Sequence, residues 1–152
     1  MLNIRKANEQ ESDLLTNLSI RSESYWGYDP SYMKKFQSMY AVTKDFIRNN
    51  PTFVLEDENE IVGFYGILID KNKTSLEYLF IEPRYIGHGY GKKLWNHAVE
   101  SSKELGITKF VIVTSPQAKE FYIKMGAVQT GEVESLVKKG RLIPQFIYTL
   151  ES

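Results

Sequence analysis

A chain of 152 residues with 19 basic and 19 acidic side chains carries no formal net charge, and its pI lies near 6.7. That balance leaves no electrostatic footprint for nucleic acid or an anionic membrane. Cysteine is absent, which excludes disulfides, thiolate metal sites and a cysteine nucleophile, and only two histidines, His88 and His97, argue against a metal centre.

The length fits one domain over residues 1–152, long enough to bury a substantial core. The N-terminal MLNIRKANEQESD turns polar too soon for a signal peptide, and no apolar run approaches the roughly 18 residues of a membrane span. A cytoplasmic globular protein is expected.

Leu2 to Ala7 alternates as a short strand with Leu2 and Ile4 on one face. Asn8 to Ser12 offers helix caps, and Leu14, Leu15 and Leu18 follow at helical spacing, to about Ser24. Gly27 and Pro30 punctuate the chain before a second helix over Ser31 to Tyr40. Thr43 is placed to cap a short third helix ending near Asn49 and Asn50. Thr52 to Glu56 and Ile61 to Asp70 read as a hairpin through Asp57, Glu58 and Asn59.

Lys71, Asn72 and Lys73 turn the chain into an apolar strand, Thr74 to Glu82. A loop containing Gly87, Gly89 and Gly91 follows, then a helix from Lys92. Leu94, Ala98, Val99 and Leu105 mark that helix's buried stripe, and Gly106 ends it. Ile107 to Thr114 is a further apolar strand, and Pro116 to Met125 a helix closed by Gly126. Two last strands, near Ala127 to Leu136 and Gln145 to Leu150, flank a turn at Lys138 to Arg141. The fold class is therefore α/β with mixed α+β character: a central mixed sheet of six or seven strands with flanking helices.

Strand, glycine loop and helix start, in that order, make a device for holding phosphates. The first turn of a helix has unpaired N–H groups and a favourable dipole, and glycines let a phosphate approach the backbone. A Walker A loop would need Gly at 86 and Ser or Thr at 93, where the chain has Ile86 and Lys93. A dinucleotide fingerprint would need a third glycine at Lys92 or Leu94. Both patterns fail, which disfavours a nucleotide-binding regulator.

The loop resembles the Q/R-x-x-G-x-G/A signature of the GNAT superfamily of N-acetyltransferases. Arg84 to Gly89 matches it literally; a second register, preferred for the spacing of Gly91 to Leu94, puts Ile86 at the Gln/Arg position. A second motif, SPQAKEFYIKMGA from Ser115 to Ala127, is similar to the family's N-x-x-A-x-x-F-Y-x-K-x-G-F. Ala118, Phe121, Tyr122, Lys124 and Gly126 are in register, while Ser115 replaces Asn and Ala127 replaces Phe. The element order matches over essentially the whole length, and the segments RSESYWGYD and GRLIP resemble those of a bacterial group of the family.

The resemblance implies a GNAT fold with two splayed parallel strands and direct transfer of acetyl from acetyl-CoA to a primary amine of a small molecule or peptide. No metal is implied, no nucleic acid or membrane partner is expected, and a homodimer is compatible with it. Main-chain groups of Leu79, Phe80 and Ile81 would pair with the pantetheine arm, and a bulge in the central strand would help the splay. One freed N–H there would stabilise the oxyanion, a contribution of about 3 kcal/mol. Backbone from Gly87 through His88, Gly89, Tyr90 and Gly91 to Lys92 would hold the diphosphate, with Ser115, Ala118 and Phe121 of the second motif also against the cofactor. Tyr122 would assist the leaving thiolate.

An alkylammonium of pKa about 10 must lose a proton before attack. The family places a base on the central strand, here at Ser75 or Glu77, and Glu77 is the one able to accept a proton near neutrality. Strand alternation puts it on the face of Leu79 and Ile81. Glu23 is an alternative base. Tyr25, Trp26 and Tyr28 fall where the family walls the acceptor site, and a cation–π contact there would contribute about 0.5–2 kcal/mol; Trp26 as core packing is the competing reading. His88 reads as a phosphate neighbour and His97 as a helix-surface or core-edge residue. The rival function is a catalytically silent acyl-CoA-binding module of the same fold.

Overall fold

Seven strands join into one sheet in the order β1-β2-β3-β4-β5-β7-β6 in the computed structural model, which describes residues 1–151. The strands are β1 (Leu2–Lys6), β2 (Thr52–Asp57), β3 (Glu60–Ile69), β4 (Thr74–Ile81), β5 (Lys109–Val113), β6 (Val128–Glu134) and β7 (Leu142–Thr149). The helices are α1 (Ser12–Ser24), α2 (Pro30–Tyr40), α3 (Lys44–Asn49), α4 (Tyr90–Glu104) and α5 (Lys119–Lys124). Neighbouring strands run antiparallel except β4 and β5, which are parallel. Parallel neighbours need a crossover, and α4 supplies it.

The helices begin where local chemistry dictates. The Asp29 carboxylate accepts the Tyr32 N–H at 2.8 Å and Pro30 occupies the first turn, so α2 starts one residue before the expected Ser31. Thr43 caps α3 through the Phe46 N–H, as its position suggests. Glu58 and Asn59 both adopt positive φ, which turns the β2–β3 hairpin tightly.

Two apolar clusters lie against the sheet. Leu15, Leu18, Ile47, Val54, Phe64 and Tyr78 form the one shared with α1 and α3. The other gathers Leu94, Trp95 and Ala98 of α4 with Tyr122, Phe110 and Phe146. Trp95, 2% exposed, meets the rings of Phe110, Tyr122 and Tyr148 edge-on. Burying such a side chain stabilises the fold by about 1.5–3 kcal/mol.

Several boundaries differ from those expected. Helix α4 starts at Tyr90, two residues early, because Gly89 at φ +80° serves as its N-cap. Leu105 is 56% exposed: it follows the helix as its C-cap, off the buried stripe. The segment after Pro116 splits into a 3-10 turn, Pro116–Ala118, and α5. Strand β7 begins at Leu142 instead of Gln145 and runs through Pro144. Its pairing with β5 begins only at Gln145 opposite Val113, so the missing proline N–H costs no ladder bond on that side.

Candidate active site

The ladder between β4 and β5 consists of one opposed pair, Ser75 with Val111. Beyond it the strands part, and β4 from Leu76 to Ile81 keeps its β3 neighbour on one edge and, among the described residues, has no strand on the other. On the β3 side Gly66 faces Tyr78 and Ile67 faces Leu76, which leaves Glu77 as an extra, unopposed residue. Glu77 is thus the bulge, a feature that bends a strand and disturbs its alternation.

That bulge corrects one expectation. Leu76, Leu79 and Ile81 pack with the α4 cluster, whereas Tyr78 and Phe80 pack with the α1 and α3 cluster. Alternation does not carry through position 77: Leu76 and Tyr78, two residues apart on either side of the bulge, pack into different clusters, so simple alternation no longer assigns Glu77 to the face of Leu79 and Ile81.

A cavity of about 90 Å³ opens in the splay. Glu77, Leu79 and Phe80 line it from β4, Thr114 and Ser115 from the end of β5, and Tyr122 from α5. Its far wall comes from Glu23 of α1, Tyr32, Phe36 and Tyr40 of α2, and Arg141 before β7. Of the site residues expected from the sequence, the structure brings Tyr122, Glu77, Leu79, Phe80 and Ser115 together around this cavity. Ile81 lies outside the lining and packs beside Gly63.

Burial dominates the electrostatics. It pushes the Glu77 carboxyl above its ordinary range, with Lys73 opposing. Glu23, 7% exposed, is raised by burial too, against the Tyr32 hydroxyl donating to its Oε2 at 2.8 Å and the charge of Arg141. The Tyr122 phenol is pushed well up by burial alone. Its hydroxyl has no hydrogen-bond partner among the described residues, and its ring packs against Trp95 and Phe146 at 5.9 and 6.0 Å.

Next to the splay, Gly87 and Gly89 both adopt positive φ, and a Cβ at either would point into open space. Among the described residues, the N–H groups of Gly87, Gly89, Tyr90, Gly91 and Lys92 have no partner within the chain, whereas the His88 N–H is engaged by the Tyr85 carbonyl. His88 is exposed between Tyr85 and Tyr90, and the Tyr90 hydroxyl donates to Asp57. The Lys92 side chain is exposed. A Cβ on Gly91 would meet Phe121 at 3.3 Å, so the two glycine- and aromatic-bearing motifs touch here, with Ala118 half-buried nearby in the same cluster. A free strand edge leading to unpaired amides and side-chain-free glycines fits an extended ligand that carries phosphates. Among the described residues no group of three or more His, Asp or Glu is placed to hold a metal ion, and no helix is long and apolar enough to cross a membrane.

Tyr25 and Trp26 stand outside the cavity lining: they are 54% and 44% exposed and pack edge-to-face with each other at 4.9 Å. Trp26 is accordingly not a core residue either. Tyr28 reaches the site through Arg141, whose Nη2 donates to its hydroxyl at 2.7 Å. Tyr32, Tyr40 and Arg141 were missed by sequence reasoning. The aromatic spacing of α2 gives no hint of a cavity, and Arg141 is distant in sequence; its GRLIP segment was the available signal. His97 lies apart from the cavity, half-buried, with Nδ1 2.8 Å from the Tyr65 hydroxyl.

Residues 15–127 match the sequence profile of the acetyltransferase (GNAT) family. A peptidyl-lysine N-acetyltransferase, YjaB of Salmonella typhimurium, is 32% identical over 143 residues, covering 91% of this chain and 92% of that protein. A 5-NmdU N-acetyltransferase of Pseudomonas phage PaMx11 is 30% identical, covering 87% of this chain and 91% of that protein. Among solved structures, PaiA N-acetyltransferase of Thermoplasma acidophilum in complex with coenzyme A superposes with a TM-score of 0.79. It is 19% identical, with 98% of this chain and 99% of that chain covered. YncA of Salmonella typhimurium with acetyl-CoA gives 0.72 at 15% identity, covering 100% and 95%. At such identities the structural likeness speaks to the fold alone.

Proposed function

The chain belongs to the acetyltransferase (GNAT) family, and from that premise we propose that, as an N-acetyltransferase, it moves acetyl from acetyl-CoA directly to a primary amine on a small molecule or peptide. The observation that carries this reading is the cavity itself: one splay gathers a bulged carboxylate and, among the described residues, a buried phenol without a partner and an unpaired strand edge. Relatives named for acting on peptidyl-lysine and 5-NmdU support an amine acceptor.

Acetyl-CoA would supply the thioester, its pantetheine arm along the free edge of Leu79 and Phe80 and its diphosphate over the amides from Gly89 to Lys92. Glu77 takes the ammonium proton, and its raised affinity for protons brings it closer to neutrality, where a base works best. The free β4 amides face the developing oxyanion. Tyr122 presents an uncommitted O–H to the departing sulfur. Glu23 holds Tyr32 in place at the acceptor end. The silent-binding rival has no use for Glu77 and Tyr122 meeting in one cavity. Incubation with acetyl-CoA and a panel of peptidyl-lysine and small-molecule amines, read by mass spectrometry, is expected to add one acetyl group per acceptor amine. Binding of acetyl-CoA with no acetylated product across the panel would favour the rival.

The diphosphate site has its own test. Gly89→Val is expected to abolish the rise in melting temperature that acetyl-CoA confers on the wild type. The side chain would cover amides that must stay open, and a β-branched residue at φ +80° would cost about 1–2 kcal/mol of apo stability. An unchanged acetyl-CoA shift in a folded Gly89→Val protein would place the phosphates elsewhere.

A further inference from the structure

Four of the five arginines are tied to carboxylates: Arg5 to Glu11, Arg21 to Glu82, Arg48 to Glu9 and Arg84 to Glu60. Arg141 is the exception among the described residues, and it is the arginine that lines the cavity. Its guanidinium carbon lies 4.8 Å from the Tyr28 ring centre and 5.7 Å from that of Tyr32, and those two rings are stacked at 4.1 Å. One N–H donates to the Tyr28 hydroxyl, which in turn donates to Gln117 Oε1 at 3.0 Å. The backbone beneath is fixed as well: the Arg141 carbonyl accepts from Ser135 at 2.8 Å and its N–H donates to Lys138. A rigid, permanently charged fork with five donors thus faces a cavity with one of them engaged. Glu23, on the same wall, already receives the Tyr32 hydroxyl on Oε2.

The cavity is therefore bipolar. A site for a simple alkylamine or diamine needs carboxylates alone, and Glu77 and Glu23 would suffice. Arg141, on the same wall as Glu23 and acting on it only through its charge, faces Glu77 across the cavity. A fixed guanidinium there suits a ligand that carries an anion as well as an amine, and the fork's geometry matches a planar carboxylate.

Resting on the acetyltransferase reading above, we propose that the acceptor is an amine that also bears a carboxylate, held by Arg141 while its amino group faces Glu77. Tyr28 and Tyr32 are then positioning residues for the fork.

Two matched pairs test this. Free amino acids against their carboxamides address a small-molecule carboxylate; a lysine peptide with neighbouring glutamate against its glutamine counterpart addresses a peptide one. In at least one pair the wild type is expected to favour the carboxylate member, and Arg141→Gln to raise its KM by ~10- to 100-fold, the loss of a charged hydrogen-bonded contact. The same variant should leave the neutral member's KM within about twofold, a split that a general structural defect cannot produce. Arg141→Lys, which keeps the charge and loses the fork, should fall between. Acetylation of neutral members as efficiently as charged ones, or an equal loss on both in Arg141→Gln, would overturn the carboxylate role while leaving the acetyltransferase standing. No acetylation of any member, with acetyl-CoA bound, would overturn both.

Discussion

Tyr122→Phe is expected to lower turnover by ~10²–10⁴-fold while acetyl-CoA affinity barely changes. The departing CoA thiolate is the conjugate base of a thiol with pKa near ~8.5, by analogy with cysteine, and it needs a hydrogen bond or a proton as the thioester breaks. Burial keeps the Tyr122 phenol protonated far into the alkaline range, so it remains a donor and adds no pH limb of its own near neutrality. The substitution preserves the ring contacts with Phe121, Trp95 and Phe146. It also removes a hydroxyl that has no partner among the described residues, so no donor or acceptor is orphaned and the melting temperature should hold or rise slightly. Steady-state kinetics with an acceptor, alongside calorimetric acetyl-CoA binding, checks both halves. Full turnover in Tyr122→Phe would remove the leaving-group role.

Glu77→Gln is expected to cost ~10²-fold or more at neutral pH and progressively less as the pH approaches the amine's own pKa, where the acceptor loses its proton unaided. In the wild type the acid limb of the pH–rate profile should lie above the ordinary carboxylate range, because burial raises Glu77 more than Lys73 lowers it. Stability gives an independent sign. A folded-state pKa above the unfolded one means that the native state binds the extra proton. The Glu77 contribution is therefore fully present below the unfolded pKa and is lost as pH rises through the folded value. Glu77→Gln, which cannot ionise, should match the wild type in acid and equal or exceed it in melting temperature at neutral pH. The titratable groups near Glu77 are Lys73 before β4, which is charged, and the neutral phenols of Tyr40 of α2 and its strand neighbour Tyr78. Glu23→Gln is the control: a profile altered there and unaltered in Glu77→Gln would transfer the base role to Glu23.

The succession of elements was legible because its signals are local. Thr43 acts within one turn of the helix it caps, and Gly106 and Gly126, both at positive φ, close theirs. Tyr122 was singled out by the resemblance of its FY pair to the family's second motif, and α5 carries it to the cavity lining. What escaped depends on non-local geometry. The bulge at Glu77 arises from pairing with β3, and within a strand sequence nothing distinguishes it from alternation. Trp95 follows Leu94 directly and so fell off the assumed stripe, yet α4 buries it between Phe110 and Tyr148. Arg141 and Tyr28 are 113 positions apart and meet through a hydrogen bond that no window of sequence contains. Tyr25 and Trp26 look like an aromatic wall by composition, but the end of α1 turns them outward.

The most direct test of the whole account is amine-dependent release of free thiol from acetyl-CoA, measured in wild type and in the Tyr122→Phe protein at equal acetyl-CoA saturation. The account predicts thiol release that saturates with acceptor amine in the wild type and falls by ~10²-fold or more in the variant. Saturable acetyl-CoA binding in both proteins, with no thiol released above the amine-free rate, would contradict it.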